Sequence, residues 1–117
     1  MRPRSKDTAR KDLFPGSLEM MVLQTLRRRP LHGYALVHHI KEASNDLLHI
    51  EEGSLYPALQ RMLKAGWVKA AWRTSATGRR VRVYEITASG SQHLGHEMSR
   101  FERMLEGIRL VLSPASR

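Results

Sequence analysis

The hydrophobic pattern of this 117-residue chain changes period twice, near Gly66 and again near Thr87, and that order limits the folds open to it. Before Gly66, apolar side chains recur at helical spacing in three short segments. From Gly66 to Ile86 the segments read as strands, and beyond Thr87 the helical spacing returns.

Pro15 and Ser17 supply helix-start chemistry for the first segment, in which Leu18, Met21, Val22, Thr25 and Leu26 share a face up to about Arg28. Pro30 stops it. The second is predicted from His32 to Ala43, with Tyr34, Val37 and Ile40 on one face, and Ser44, Asn45 and Asp46 break it. After an extended stretch, Leu47 to Ile50, a third helix is predicted to start near Ser54. Pro57 then falls in its first turn, where a missing N–H costs little. Leu55, Leu59, Met62 and Leu63 form its apolar stripe, and Ala65-Gly66 caps it with the left-handed backbone glycine allows. Two strands joined by the turn-rich Ser75-Ala-Thr-Gly-Arg-Arg make a hairpin. Thr87 and Ser89 offer caps to a last helix over Ala88 to Leu112.

Composition removes several classes of function. There is no Cys, so disulfides, thiol nucleophiles and Cys-based metal centres are excluded. No apolar run is long enough to span a bilayer or serve as a signal peptide, so a cytoplasmic protein is expected. A net charge of +9 points instead to a polyanionic partner. The charge is concentrated: no acidic residue lies between Glu52 and Glu85, a stretch that holds Arg61, Lys64, Lys69, Arg73, Arg79, Arg80 and Arg82.

Three short helices followed by a basic hairpin is the order of a winged helix-turn-helix, in which the third helix enters the major groove and the hairpin contacts the flanking backbone. Opposite the stripe of the third helix, Ser54, Pro57, Gln60, Arg61 and Lys64 are expected to face DNA, and at the hairpin tip Arg79, Arg80 and Arg82 surround Gly78. On the last helix Leu94, Met98, Phe101, Leu105, Ile108 and Leu112 are spaced 4, 3, 4, 3 and 4 apart. That is the seam of a coiled coil, and it is expected to hold a homodimer together. Trp67 and Trp72 read as core and strand packing. His93, His96 and Glu97 lie near one face, too sparse a set to suggest a metal. Glu51 and Glu52 are accounted for by capping and the helix dipole, and His32 by a local hydrogen bond. No catalytic motif is present, and neither catalysis nor a cofactor is expected.

The strings Asp12-Leu-Phe-Pro-Gly-Ser-Leu, Leu31-His-Gly-Tyr, Glu51-Glu-Gly-Ser-Leu-Tyr-Pro-Ala-Leu, Gly66-Trp and Tyr84-Glu-Ile-Thr-Ala-Ser-Gly resemble the PadR family of transcriptional regulators, over residues 12 to 112. The resemblance is greatest to short members with one C-terminal helix, often found beside transporter or permease genes. It implies a homodimeric repressor with DNA contacts near Ser54, Tyr56 and Pro57 and on the wing. One departure stands out. Drug-responsive members hold flat aromatic ligands between tryptophans on their C-terminal helices, and this last helix has no Trp.

The expected fold is mainly α: a winged helix-turn-helix of three helices and a two-stranded wing over 13–87, a dimerisation helix over 88–112, a basic arm over 1–12 and a tail over 113–117. The expected function is sequence-specific binding of a roughly palindromic DNA operator by a dimer, with room for an unidentified small-molecule inducer. The alternative is an effector-sensing or protein-interaction module that does not bind DNA. RNA binding fits the charge, but the chain lacks a sheet of exposed aromatics for stacking bases.

Overall fold

The computed structural model describes residues 14–114, so the arm expected over 1–12 and the end of the tail lie outside the described residues. The elements are α1 (Ser17–Leu26), β1 (Leu31–His32), α2 (Gly33–Ala43), α3 (Glu52–Ala65), β2 (Val68–Thr74), β3 (Arg80–Ile86) and α4 (Ala88–Leu112). The order is the one the periods predict, with one addition. Leu31 and His32 pair antiparallel with Tyr84 and Val83, so the sheet has three strands in the order β1-β3-β2 instead of two. Two residues between Pro30 and a helix carry too little pattern to read as a strand.

One core joins all the helices. Leu18, Val22, Leu23 and Leu26 of α1, Leu36 and Ile40 of α2, Leu55, Ala58, Leu59 and Met62 of α3, Val68 and Tyr84 of the sheet and Leu94 of α4 are buried together. Each such leucine contributes about 1.5–3 kcal/mol relative to leaving it in water. The buried face of α2 is Gly33, Leu36 and Ile40, which corrects the expectation for Tyr34: it is 56% exposed, its hydroxyl bonded to His38 Nε2 at 2.9 Å. Tyr34 follows Gly33 by one residue, about 100° round the helix, which takes it off the stripe of Gly33, Leu36 and Ile40. His32 does make the local bond expected of it, its Nδ1 accepting from Ala35 N–H at 3.3 Å as the N-cap.

The third helix starts two residues before the predicted position. The N–H groups of Ser54 and Leu55 both donate to Glu51 C=O, at 2.9 and 3.0 Å, and Glu51 caps by its backbone without a side-chain bond. Pro57 therefore lies inside the helix and not in its first turn. The carbonyl that Pro57 cannot serve is that of Gly53, which is exposed and can be solvated. At the other end Gly66 takes φ 82°, with Gly66 and Trp67 N–H donating to Leu63 and Met62 C=O. That is a Schellman cap, which turns the chain straight into β2.

The hairpin pairs from Val68↔Ile86 to Thr74↔Arg80. One face carries Val68, Ala70, Trp72 and Thr74 with Ile86, Tyr84, Arg82 and Arg80. Its base is in the core, since Val68 and Tyr84 are buried, and its distal half runs out past the domain. Trp72 is thus 58% exposed, a correction to the expected strand packing, while Trp67 is half-buried.

The start of α4 is fastened to both the α3 cap and the hairpin base. Thr87 Oγ1 donates to Gly66 C=O at 2.6 Å and accepts from Gly90 N–H at 3.0 Å, and Thr87 N–H donates to Trp67 C=O at 3.0 Å. The His93 ring stacks on Trp67 with centroids 3.5 Å apart. Gly90 is required by close approach: a Cβ there would lie 2.9 Å from the Trp67 carbonyl carbon and 3.0 Å from Ile86 Cγ1. Gly90→Ala is expected to lower stability by about 1–3 kcal/mol, as overpacking does, despite alanine's better helix propensity. Thermal denaturation checks it, and an unchanged Tm would mean that α4 is not seated so tightly.

Candidate nucleic-acid interface

The outer face of α3 presents Tyr56, Pro57, Gln60 and Lys64, all exposed. Two further residues expected to face DNA are held differently. Arg61 is exposed, but its guanidinium pairs with Glu19 of α1 at 2.8 Å. Ser54 is half-buried, one position ahead of Leu55, and its Oγ is enclosed without a hydrogen-bond partner. The earlier start of α3 brings it to the shoulder of the buried stripe. Its hydroxyl is therefore not presented to the surface.

Tyr56 is held by its neighbours. Its ring lies over Gly33 at the start of α2, so closely that a Cβ on Gly33 would sit 2.8 Å from the ring's Cζ. Burial, then the Glu52 carboxylate and Tyr84, push its pKa above the usual tyrosine value, so it is an O–H donor at neutral pH. The ring is still 41% exposed and reaches the α3 surface.

At the wing, Ser75 N–H donates to Arg79 C=O at 2.7 Å and Gly78 N–H to Ser75 C=O at 2.9 Å, with Gly78 at φ 85°. This tight turn puts Arg79, Arg80 and Arg82 at the surface. Arg80 lies over the Trp72 ring, 5.1 Å from its centroid, and Arg82 over Tyr84 at 5.9 Å. Between wing and helices runs a cleft of about 800 Å³ whose walls include Tyr34, Tyr56, Trp72 and all three arginines. No Asp or Glu lines it. Sequence reasoning placed the arginines here but missed Tyr34 and Trp72, because an aromatic residue in an amphipathic pattern reads as core.

The expected dimer seam is divided by the fold. Leu94 is 1% exposed and belongs to the chain's own core, which removes it from any surface a partner can touch. Met98, Phe101 and Leu105 are half-buried, and Phe101 packs on Phe14 with centroids 5.7 Å apart. Ile108 and Leu112 are exposed, 38% and 76%. Beside them α1, α2 and α4 enclose a mostly apolar groove of about 830 Å³ floored by Met20, Met21, Ile40, Met98, Phe101 and Leu105. Among the described residues no group of three His, Asp or Glu side chains is placed to hold a metal, and no helix is long and apolar enough to cross a membrane.

Comparison with known proteins agrees with this architecture. The chain is 25% identical over 103 residues to a protein of Lysinibacillus sphaericus, a match covering 88% of this chain and 94% of that protein. It is 26% identical to the negative transcriptional regulator PadR of Bacillus subtilis (strain 168) over 79% of its own length, but spans only 50% of that relative. Among solved structures, a PadR-family transcriptional regulator from Eggerthella lenta superposes with TM-score 0.74 at 27% identity, covering 86% of each chain. A transcriptional regulator from Clostridium thermocellum, at 24% identity, shares the fold with TM-score 0.78 over 85% of this chain and 96% of its own. The family, the Bacillus subtilis relative and the two solved structures are transcriptional regulators and not enzymes. The model of the transcriptional regulator PadR-like family matches residues 22–96, and the chain belongs to that family.

Proposed function

We propose that this regulator binds duplex DNA as a homodimer and represses transcription from a roughly palindromic operator. The observation that carries the reading is the common front formed by the α3 surface and the wing: Tyr56 shares one cleft with Arg79, Arg80 and Arg82, and no Asp or Glu is among the residues that line it. A helix that enters the major groove and a basic hairpin beside it engage one stretch of duplex, with phosphates held by arginine and bases read from the helix. Gln60, one turn beyond Tyr56, has an amide suited to bidentate contact with adenine.

The dimer in this reading joins through the distal part of α4, with Ile108 and Leu112 of each copy against the other and the groove beside α1 receiving the partner's helix. At ~1.5 Å per residue the 25 residues of α4 span about 37 Å, and Leu110, Val111 and Leu112 at its far end are left exposed. The operator and the regulated gene, for which a transporter or permease is the resemblance's suggestion, are read from the DNA the protein retains. Incubating it with genomic fragments at two salt concentrations and sequencing the retained DNA tests the function. Enrichment of one palindromic site at the higher salt supports it, and equal retention of all fragments refutes sequence-specific binding.

On the site so found, Gln60→Ala is expected to weaken operator binding by about 1–3 kcal/mol while leaving random DNA nearly unaffected. Tyr56→Ala should do the same and also lower Tm, because its ring packs on Gly33. Anisotropy titrations with the two DNAs separate these effects. Equal losses on both would mean that Gln60 and Tyr56 only position the protein.

A further inference from the structure

Pro57 lies inside α3 and has no N–H, so one main-chain acceptor of that helix lacks its helical partner. The acceptor is the carbonyl of Gly53, an exposed residue. Gly53, Pro57, Gln60 and Lys64 are spaced 4, 3 and 4 apart, so they stand on one line of the helix, and all four are exposed. That line runs down the middle of the face assigned to DNA. Nothing inside the chain asks for glycine at position 53. Its backbone is helical, not the left-handed form of Gly16, Gly66 and Gly78, and a Cβ there would meet nothing within 4 Å. Gly95 and Gly107 of α4 are equally open, so glycine alone marks no site. At Gly53 it coincides with the carbonyl that Pro57 frees, and the missing side chain lets another surface approach that oxygen.

A duplex offers few donors to such an acceptor. Phosphate oxygens only accept, as do the major-groove atoms of guanine and thymine, whereas the amino groups of adenine and cytosine donate. A main-chain carbonyl cannot turn round to donate instead, as the Gln60 amide can. Against guanine or thymine it would be desolvated with no partner, which is the costly case for a hydrogen-bonding group.

We propose that the Gly53 carbonyl oxygen accepts a hydrogen bond from the exocyclic amino group of an adenine or a cytosine, so that one operator position is read by the main chain of α3. Pro57 withholds the N–H that would compete for this oxygen, and Gly53 lets the base edge reach it. The inference rests on the DNA-binding face assigned above.

The operator recovered from genomic DNA is synthesised with each adenine of one half-site replaced in turn by purine and each cytosine by pyrimidin-2-one, which lack the exocyclic amino group. Anisotropy titrations compare the unaltered chain with Pro57→Ala, whose new N–H can take the Gly53 carbonyl, and with Gln60→Ala. One replacement should weaken binding by the unaltered chain about tenfold, and its effect should shrink to within about twofold in Pro57→Ala while persisting in Gln60→Ala. Whether that position holds adenine or cytosine names the base. Gly53→Ala should weaken binding to the unmodified operator about tenfold although its Tm is equal or higher, because alanine is the better helix former and its Cβ has open space. Pro57→Ala should also raise Tm, so neither variant loses binding by unfolding. The same sensitivity to every replacement in the unaltered chain and Pro57→Ala, or full operator affinity in Gly53→Ala, overturns the carbonyl contact and leaves the DNA reading standing. Equal retention of all genomic fragments by the unaltered chain overturns both.

Discussion

A chain carrying Ile108→Glu and Leu112→Glu is expected to stay folded, with a Tm lowered only by the stabilisation that association supplies, and to sediment as a monomer. Both side chains are exposed within one chain, so their replacement opens no cavity in the core. In a dimer joined along α4 each glutamate would enter an apolar contact and be repelled by its counterpart on the other chain, a desolvated charge that such a contact does not tolerate. Half-sites in dimers of this kind lie about 34 Å apart, and the second contact is intramolecular only while the chains are joined. Its loss should weaken operator binding by about 10²–10⁴-fold without changing the affinity for an isolated half-site. Leu94→Ala is the contrasting control. It should lower Tm by the cost of a core cavity, about 2–5 kcal/mol, and leave the mass of the folded protein unchanged. A double-glutamate variant that stays dimeric would move the interface away from distal α4.

The triple change Arg79→Ala, Arg80→Ala and Arg82→Ala is expected to weaken binding to operator and random DNA alike. Each phosphate contact adds ~0.9 to the slope of log affinity against log salt, so losing three should reduce that slope by about 2.7. The whole loss should therefore be largest at low salt and shrink as salt rises. Arg80 also covers the Trp72 ring, and its removal leaves that ring more exposed, so Tm is measured alongside. A slope identical to wild type would take the wing out of the DNA interface, whatever the change in affinity.

Much of the scaffold was legible because periodicity and capping are local. The stripe of α3 was readable from Leu55, Leu59 and Met62, and its end from Gly66, whose left-handed backbone is a property of one residue and its neighbours. The same holds for the hairpin, with Gly78 at the turn and alternating strands on either side. Boundaries were less legible. The start of α3 moved to Glu52 because Ser54 and Leu55 both found Glu51 C=O, a choice in which Pro57 has no vote once Gly53 can be solvated.

The sequence by itself determined the order of the four helices and the hairpin, the single core and the concentration of positive charge on the third helix and hairpin, since all three follow from spacing and composition along the chain. Only the tertiary structure decided which side chains remain available. Where two elements meet, a residue's exposure depends on what covers it from elsewhere in the chain. Glu19 of α1 therefore takes Arg61, α4 gives up Leu94 to the core, and the hairpin outruns the domain to leave Trp72 exposed. Tyr34, from a different helix, comes to line the same cleft. No local pattern encodes such meetings, because they join residues dozens of positions apart.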